Sequence, residues 1–238
     1  NVNTNKTIYS IPVLPPVLQH DAHLNDLRID LKHGQKGTVY ITNSSFGKTP
    51  SLIVVDIASG KSRELLKNHI STRAQEGFYT YLEHKPHSFD YSNPEFPIGG
   101  ADGIALIEKE NKLYWTSITG RGLYSISTDI LSDFSKTEKE IEDAVKYEGD
   151  RPPCDGLAED EEGNIYFGDF EQQAIVKRTA DGKFNLIKMD KNFIWPDGLA
   201  YSNGYVYVTL GQWNRLPGFN NGNDLRHPPY LVVRLKVQ

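Results

Sequence analysis

Apolar and polar residues alternate along most of this chain in short runs, and the runs are interrupted by turn residues at close intervals. GTVYIT around Tyr40, KLYWTS around Tyr114, NIYFGD around Tyr166 and GYVYVTL around Tyr207 are runs of this kind. They are rich in β-branched and aromatic residues, with the period of two expected of strands. Each is followed by another: SLIVVDI, GLYSIS, AIVKRT and YLVVRLKV. SRELL after the first unit and KFNLI after the third read as fourth strands. Connecting turns such as DEEGN and YSNGY carry the Gly and Asn that tight hairpins need for positive φ. One segment breaks the pattern. SKTEKEIEDAVKY, from Ser135 to Tyr147, has helix formers throughout, Ile141 and Val145 on one face, and Thr137 and Glu140 at capping-box spacing. It predicts a short amphipathic helix between the second and third units.

A shared motif precedes the tyrosine strands: LNDLRID, GADGIAL, PCDGLAE and WPDGLAY. Aligned on Asp26, Asp102, Asp155 and Asp197, these define four repeat units of unequal spacing, hence one common unit with insertions. Sequential antiparallel sheets of about four strands, each opened by the same residue, predict an all-β fold, a β-propeller of four-stranded blades, in one domain over residues 1–238. A β-sandwich would not require a repeated Asp. The insertion from Asn68 to Gly100 suits an ordered loop covering one end. The last unit stops after three strands, and TIYSIP near the start is a spare one. Either Ile8 to Ile11 completes a four-bladed ring or the chain is part of a larger propeller; the first residue, Asn1, in place of Met favours the second.

Composition narrows the chemistry. A net charge of -5 with the signs interspersed, and no basic block, predicts no nucleic-acid partner. No apolar run approaches the roughly 18 residues that cross a bilayer, and NVNTNKTIYS has no signal-peptide core. A single cysteine, Cys154, excludes an internal disulfide and has no base-bearing motif beside it.

In a propeller the innermost strands start near the axis, so Asp26, Asp102, Asp155 and Asp197 are expected to converge there. Crowded carboxylates repel unless protonated or bridged by a cation, and oxygen donors favour Ca²⁺ or Mg²⁺. As the alternative, each Asp caps a turn as a structural element. Second strands return to the same end, placing Asn43, Ser117, Asp169 and Gln212 at the mouth, with Asp169 a candidate general base. His20 and His23 in HDAH, and His84 with His87, are weaker ligand candidates. Phe89, Tyr91, Phe96, Trp195 and Trp213 are candidate walls of a pocket for a flat ligand, or packing residues.

The block PPCDGLAEDEEGNIYFGDFEQQAI, the helix before it, the NDLRIDL start and the closing PPYLVVRLKV together resemble the major royal jelly protein/yellow family, in particular its bacterial yellow-like members. The resemblance implies a six-bladed propeller, of which about two N-terminal blades would be absent from this chain, and a secreted or periplasmic location. It implies small-molecule ligands such as aromatic amines or catechol-derived compounds, with dopachrome conversion a further activity of some members. The architecture is also similar to the gluconolactonase and senescence-marker group, which implies a central divalent cation, often Ca²⁺, on Asn25, Asp102 and Asp155, and a lactonase-type hydrolase with Asp155 and Asp169 as catalytic residues. Asp26, Asp197, Ser117, Trp195 and Trp213 are then the expected ligand-binding residues.

Overall fold

The computed structural model describes residues 1, 3–45, 48–88 and 99–238. Its strands build four antiparallel sheets in chain order, arranged as propeller blades. Blade 1 is β1 (Leu24–Asp30), β2 (Thr38–Asn43), β3 (Ser51–Asp56) and β4 (Ser62–Leu65). A hairpin of β5 (Tyr79–Leu82) and β6 (Lys85–Ser88) follows. Blade 2 is β7 (Ala101–Ile107), β8 (Lys112–Ser117), β9 (Gly122–Ser127) and, after helices α1 (Thr128–Leu131) and α2 (Glu138–Ala144), β10 (Lys146–Asp150). Blade 3 is β11 (Cys154–Glu159), β12 (Ile165–Asp169), β13 (Ala174–Arg178) and β14 (Phe184–Met189). Blade 4 has three strands, β15 (Pro196–Ser202), β16 (Tyr205–Leu210) and β17 (Leu231–Lys236).

The cores lie between blades, not within one. Tyr40, Leu52 and Val54 of blade 1 meet Ile104, Leu113 and Trp115 of blade 2. Ala105, Tyr114 and Leu123, on the other face of blade 2, meet Leu157, Ile165 and Phe167 of blade 3. Tyr166 and Ile175 then meet Val206 and Val208 of blade 4. Blade 2 is therefore covered on both faces, and every residue of β7 is buried. Blade 4 is covered on one, so β15 and β16 alternate between buried and exposed positions.

In the first three blades the repeated tyrosine has a local cause. Its hydroxyl reaches back to an acid at the end of, or just after, the first strand of its own blade: Tyr40 to Asp30 Oδ2 at 3.1 Å, Tyr114 to Glu110 Oε2 at 3.3 Å, Tyr166 to Asp160 Oδ2 at 2.9 Å. Each clasp satisfies a phenol that is otherwise packed in the inter-blade core.

Two expectations need correction. The helix lies inside blade 2, not between units: α2 has the expected capping box at Thr137 and Glu140, but it ends at Ala144. Tyr147 then enters β10, which pairs with β9 as the fourth strand. Helix formers before a short strand had masked that strand. Residues 7–12 form no strand. Instead Ile11, Val13 and Val17 pack on Ile41, Ile53 and Val55, the face of blade 1 turned away from blade 2. Among the described residues, no helix is long and apolar enough to cross a membrane.

Candidate functional site

Every first strand carries a β-bulge at the same place. In β1 the pairing jumps from Leu24 opposite Asn43 to Leu27 opposite Ile41. In β7 it jumps from Ala101 to Ile104, in β11 from Cys154 to Leu157, and in β15 from Pro196 to Leu199. Two residues thus oppose one, and the bulged pairs are Asn25-Asp26, Asp102-Gly103, Asp155-Gly156 and Asp197-Gly198. This resets the repeat. Asn25, not Asp26, is the counterpart of Asp102, Asp155 and Asp197, and Asp26 stands where the other blades have Gly. The same register makes Leu24, not Asn25, the counterpart of Cys154. The N–H groups of Asp26 and Gly198 both donate to the threonine across the bulge, Thr42 at 3.1 Å and Thr209 at 2.9 Å, which confirms the equivalence.

The glycines are needed because the innermost strands nearly touch. A Cβ on Gly103 would lie 2.5 Å from the Asp155 carbonyl oxygen, and one on Gly156 would lie 2.4 Å from that of Asp197. Bulge and glycine together let β7, β11 and β15 close on the axis and turn the preceding carboxyls toward one another.

Those carboxyls do meet. Asp102 lies close enough to the Asn25 and Asp155 side chains for both to act on its ionisation. Burial pushes the Asp102 carboxyl up to about 7, and the Asp197 charge adds to the effect. Burial, followed by the Asp102 charge, holds Asp155 well above the usual carboxylate range. Asp197 is half-buried and pushed up to about 7 by burial and by the charges of Asp155 and Asp26. Near neutral pH this cluster therefore holds protons unless a cation approaches.

Asp26 turns away from it. Its Oδ1 accepts from the Leu27 N–H at 2.8 Å and its Oδ2 pairs with Arg28 Nη1 at 3.2 Å. Arg28 reaches from blade 1 to blade 3, bonding Glu159 Oε1 at 2.8 Å and the Leu157 carbonyl at 2.9 Å. The guanidinium thus spans the axial region toward the far end of the inner strands, a feature two residues so distant in sequence do not reveal.

Trp195 supports the mouth instead of walling a pocket. Its Nε1–H donates to Asp155 Oδ2 at 2.6 Å, and its indole stacks on Phe170 at 4.6 Å with planes 5° apart. It is 1% exposed and its backbone takes φ 51°, a left-handed conformation unusual for a bulky residue. Phe78 and Leu82, from and beside the hairpin, join Ile118, Phe170 and Trp195, with half-buried Trp213 against them. Glu171 holds the hairpin through Thr80 and Arg121, and Glu83 holds it to Arg215 at 2.8 Å. Phe89, Tyr91 and Phe96 lie outside the described residues.

The Ser117 hydroxyl donates to the Gly99 carbonyl at 3.0 Å and keeps its acceptor lone pairs. Gln212 lies beyond the end of β16; Leu210 is the register counterpart of Asn43, Ser117 and Asp169. Asp169 is fully buried. Its Oδ1 accepts from the N–H groups of Glu171 and Gln172, each at 2.9 Å, and its Oδ2 has no partner among the described residues. Burial pushes its carboxyl up to about 6. Arg151 Nε, Trp213 Nε1 and Asn214 Oδ1, all at this end of the blades, are also buried with no partner among the described residues. Cys154 is buried, and burial pushes its thiol up to about 11, so it is no nucleophile. Asp21, between His20 and His23, accepts from the Thr49 and Ser45 hydroxyls at 2.8 and 3.0 Å.

For a divalent cation the donors are incomplete. Asn25, Asp102 and Asp155 converge with hard oxygens, but among the described residues no three His, Cys, Asp or Glu side chains stand at metal-ligand spacing. Ca²⁺ takes six to eight oxygens, and Asp155 Oδ2 is already committed to Trp195.

Fold and site define a class: a bladed β-propeller with a cluster of carboxyls at one end of its axis. The chain belongs to the Major royal jelly protein family, whose sequence model matches residues 1–223. No curated protein matches it. Among solved structures it is similar to a luciferin-regenerating enzyme (17% identity, 80% of this chain, 54% of that one, TM-score 0.49). A gluconolactonase from Xanthomonas campestris is also similar (11% identity, 84% of this chain, 59% of that one, TM-score 0.49). A virginiamycin B lyase from Staphylococcus aureus follows (13% identity, 79% and 64%, TM-score 0.42). The chain thus spans little more than half the length of the first two.

Proposed function

We propose that the acidic mouth binds a small aromatic molecule bearing a protonated amine. The observation that carries this is the meeting of Asp102 with Asp155, near Asp197, at the end where Trp195, Phe170 and Trp213 gather. A bound ammonium supplies the positive charge that such carboxyls need to ionise, and it receives charge-assisted hydrogen bonds in return. Asp197, the most open of the three, makes the first contact, and Asp102 and Asp155 ionise as the amine enters. The ring packs toward Trp213, whose Nε1–H is, with Asp169 Oδ2, Arg151 Nε and Asn214 Oδ1, among the polar atoms without a partner among the described residues and so open to ring substituents. Arg28, paired to Asp26 and Glu159, offsets one of the two acidic charges below the mouth. Titration calorimetry with tyramine and with 4-hydroxyphenylacetate, which carries a carboxylate in place of the amine, tests this. Tyramine binds, the acid does not, and chelator changes neither; equal binding of both removes the reading.

A second reading, hydrolysis of a lactone or ester, rests on Asp169 alone. A buried carboxyl pushed up to about 6, with one oxygen that has no partner among the described residues, is suited to take a proton from water. Turnover of δ-valerolactone that disappears in Asp169→Asn would support it, and absence of turnover in the parent protein would remove it.

A further inference from the structure

A separate cleft of about 490 Å³ lies beside blade 2, between the segment after β4 and the β9–β10 edge. One wall is a pair of tyrosines, Tyr124 and Tyr147, with ring centroids 5.5 Å apart and planes tilted by 50°. Tyr124 also stacks on the buried Trp115 at 6.3 Å, so this shelf is anchored in the inter-blade core. The opposite wall carries Arg73, Gln75 and Glu76. It is fixed in place: Gln75 N–H donates to the Thr119 carbonyl at 2.7 Å, Gln75 Oε1 accepts from the Arg121 N–H at 2.8 Å, and Trp115 Nε1–H donates to the Ser71 carbonyl at 2.9 Å. The floor includes Gly120, where a Cβ would crowd Gln75 at 3.3 Å. The glycine keeps the cleft deep.

The lining offers an aromatic face together with both signs of charge. Arg73 is exposed and gives donors only, Glu76 gives acceptors only, and Asp150 accepts from the Tyr147 hydroxyl at 2.5 Å. A cation meets like-charge repulsion from Arg73 and an anion meets it from Glu76 and Asp150, so each finds only part of the lining complementary. A neutral polyhydroxylated ring meets none: its C–H face covers the tyrosines, and its hydroxyls, each both donor and acceptor, satisfy Arg73, Gln75, Glu76 and Asp150 in turn. The volume lies within the roughly 300–1,000 Å³ of small-molecule sites. We infer that this cleft is a binding site for a neutral saccharide, distinct from the acidic mouth and independent of what the mouth binds.

The test is a neutral-glycan array followed by calorimetry with maltotriose, cellotriose and chitotriose on the parent protein, Tyr147→Ala, Arg73→Ala and Asp155→Asn. Both cleft substitutions fall on exposed side chains and leave the core intact. At least one neutral glycan binds the parent, at least tenfold more weakly the two cleft variants, and unchanged in Asp155→Asn. The inference is overturned if no neutral glycan is retained, if binding survives both cleft substitutions undiminished, or if Asp155→Asn alone abolishes it.

Discussion

Replacing Trp195 by Phe isolates one bond at the mouth. The stack on Phe170 survives, but Asp155 Oδ2 loses the indole N–H that now donates at 2.6 Å. Leaving a buried acceptor unpaired costs about 1–3 kcal/mol, toward the upper end when it is charged. For a chain of this size about 1 kcal/mol moves the melting temperature by roughly 2–4 °C, so a fall of about 2–12 °C is expected. The cost also depends on pH. The indole bond favours the ionised Asp155, so its loss raises that carboxyl further. At low pH, where Asp155 is protonated in both proteins, the difference is small, and it grows as pH rises through the elevated Asp155 value. Thermal unfolding of both proteins from pH 5 to pH 9 measures it. A difference that is flat across this range, or below about 0.5 kcal/mol throughout, would refute the assigned role of Trp195.

Other outcomes follow from the same geometry. Gly156→Ala places a carbon 2.4 Å from the Asp197 carbonyl and should cost at least about 2 kcal/mol in denaturant unfolding, whereas Gly218→Ala, with nothing within 4 Å, should be near neutral. Asp102 has a folded value of about 7 against 3.8 in the unfolded chain, so the folded state holds the extra proton between these values. Stability from this group is full below about pH 4 and is lost as pH rises to about 7. Asp102→Asn should flatten that slope in a pH series of melting curves. Tyr166→Phe, which unpairs Asp160 Oδ2 from its phenol, should cost about 1 kcal/mol without changing ligand binding by calorimetry.

The blades were legible because their strands alternate locally, and period two needs no long-range information. The site was legible only to within one residue. Aspartate is the conspicuous letter of the repeat, so Asp26 aligns by eye with Asp102, Asp155 and Asp197. The apolar residue after the pair, Leu27, Ile104, Leu157 or Leu199, marks the true phase, and it assigns Asn25 to the set. What the pattern could not show is what each carboxyl faces. Arg28 meets Glu159 across two blades, and Trp195 meets Asp155 from the next blade. Such pairs are set by the packing of blades about the axis, not by neighbours in sequence. β10 was missed for another reason: KYEGD is polar, flanked by a helix, and is a strand only because the β9 edge was open.

The central claim is that the carboxyl cluster is a proton-loaded site for an organic cation. Calorimetry of tyramine binding at pH 6.5, repeated in buffers of different ionisation enthalpy, counts the protons expelled. The account predicts release of a fraction of a proton or more per tyramine bound, and loss of both binding and release in Asp155→Asn. Binding with no proton release, or binding undiminished in that variant, would contradict it.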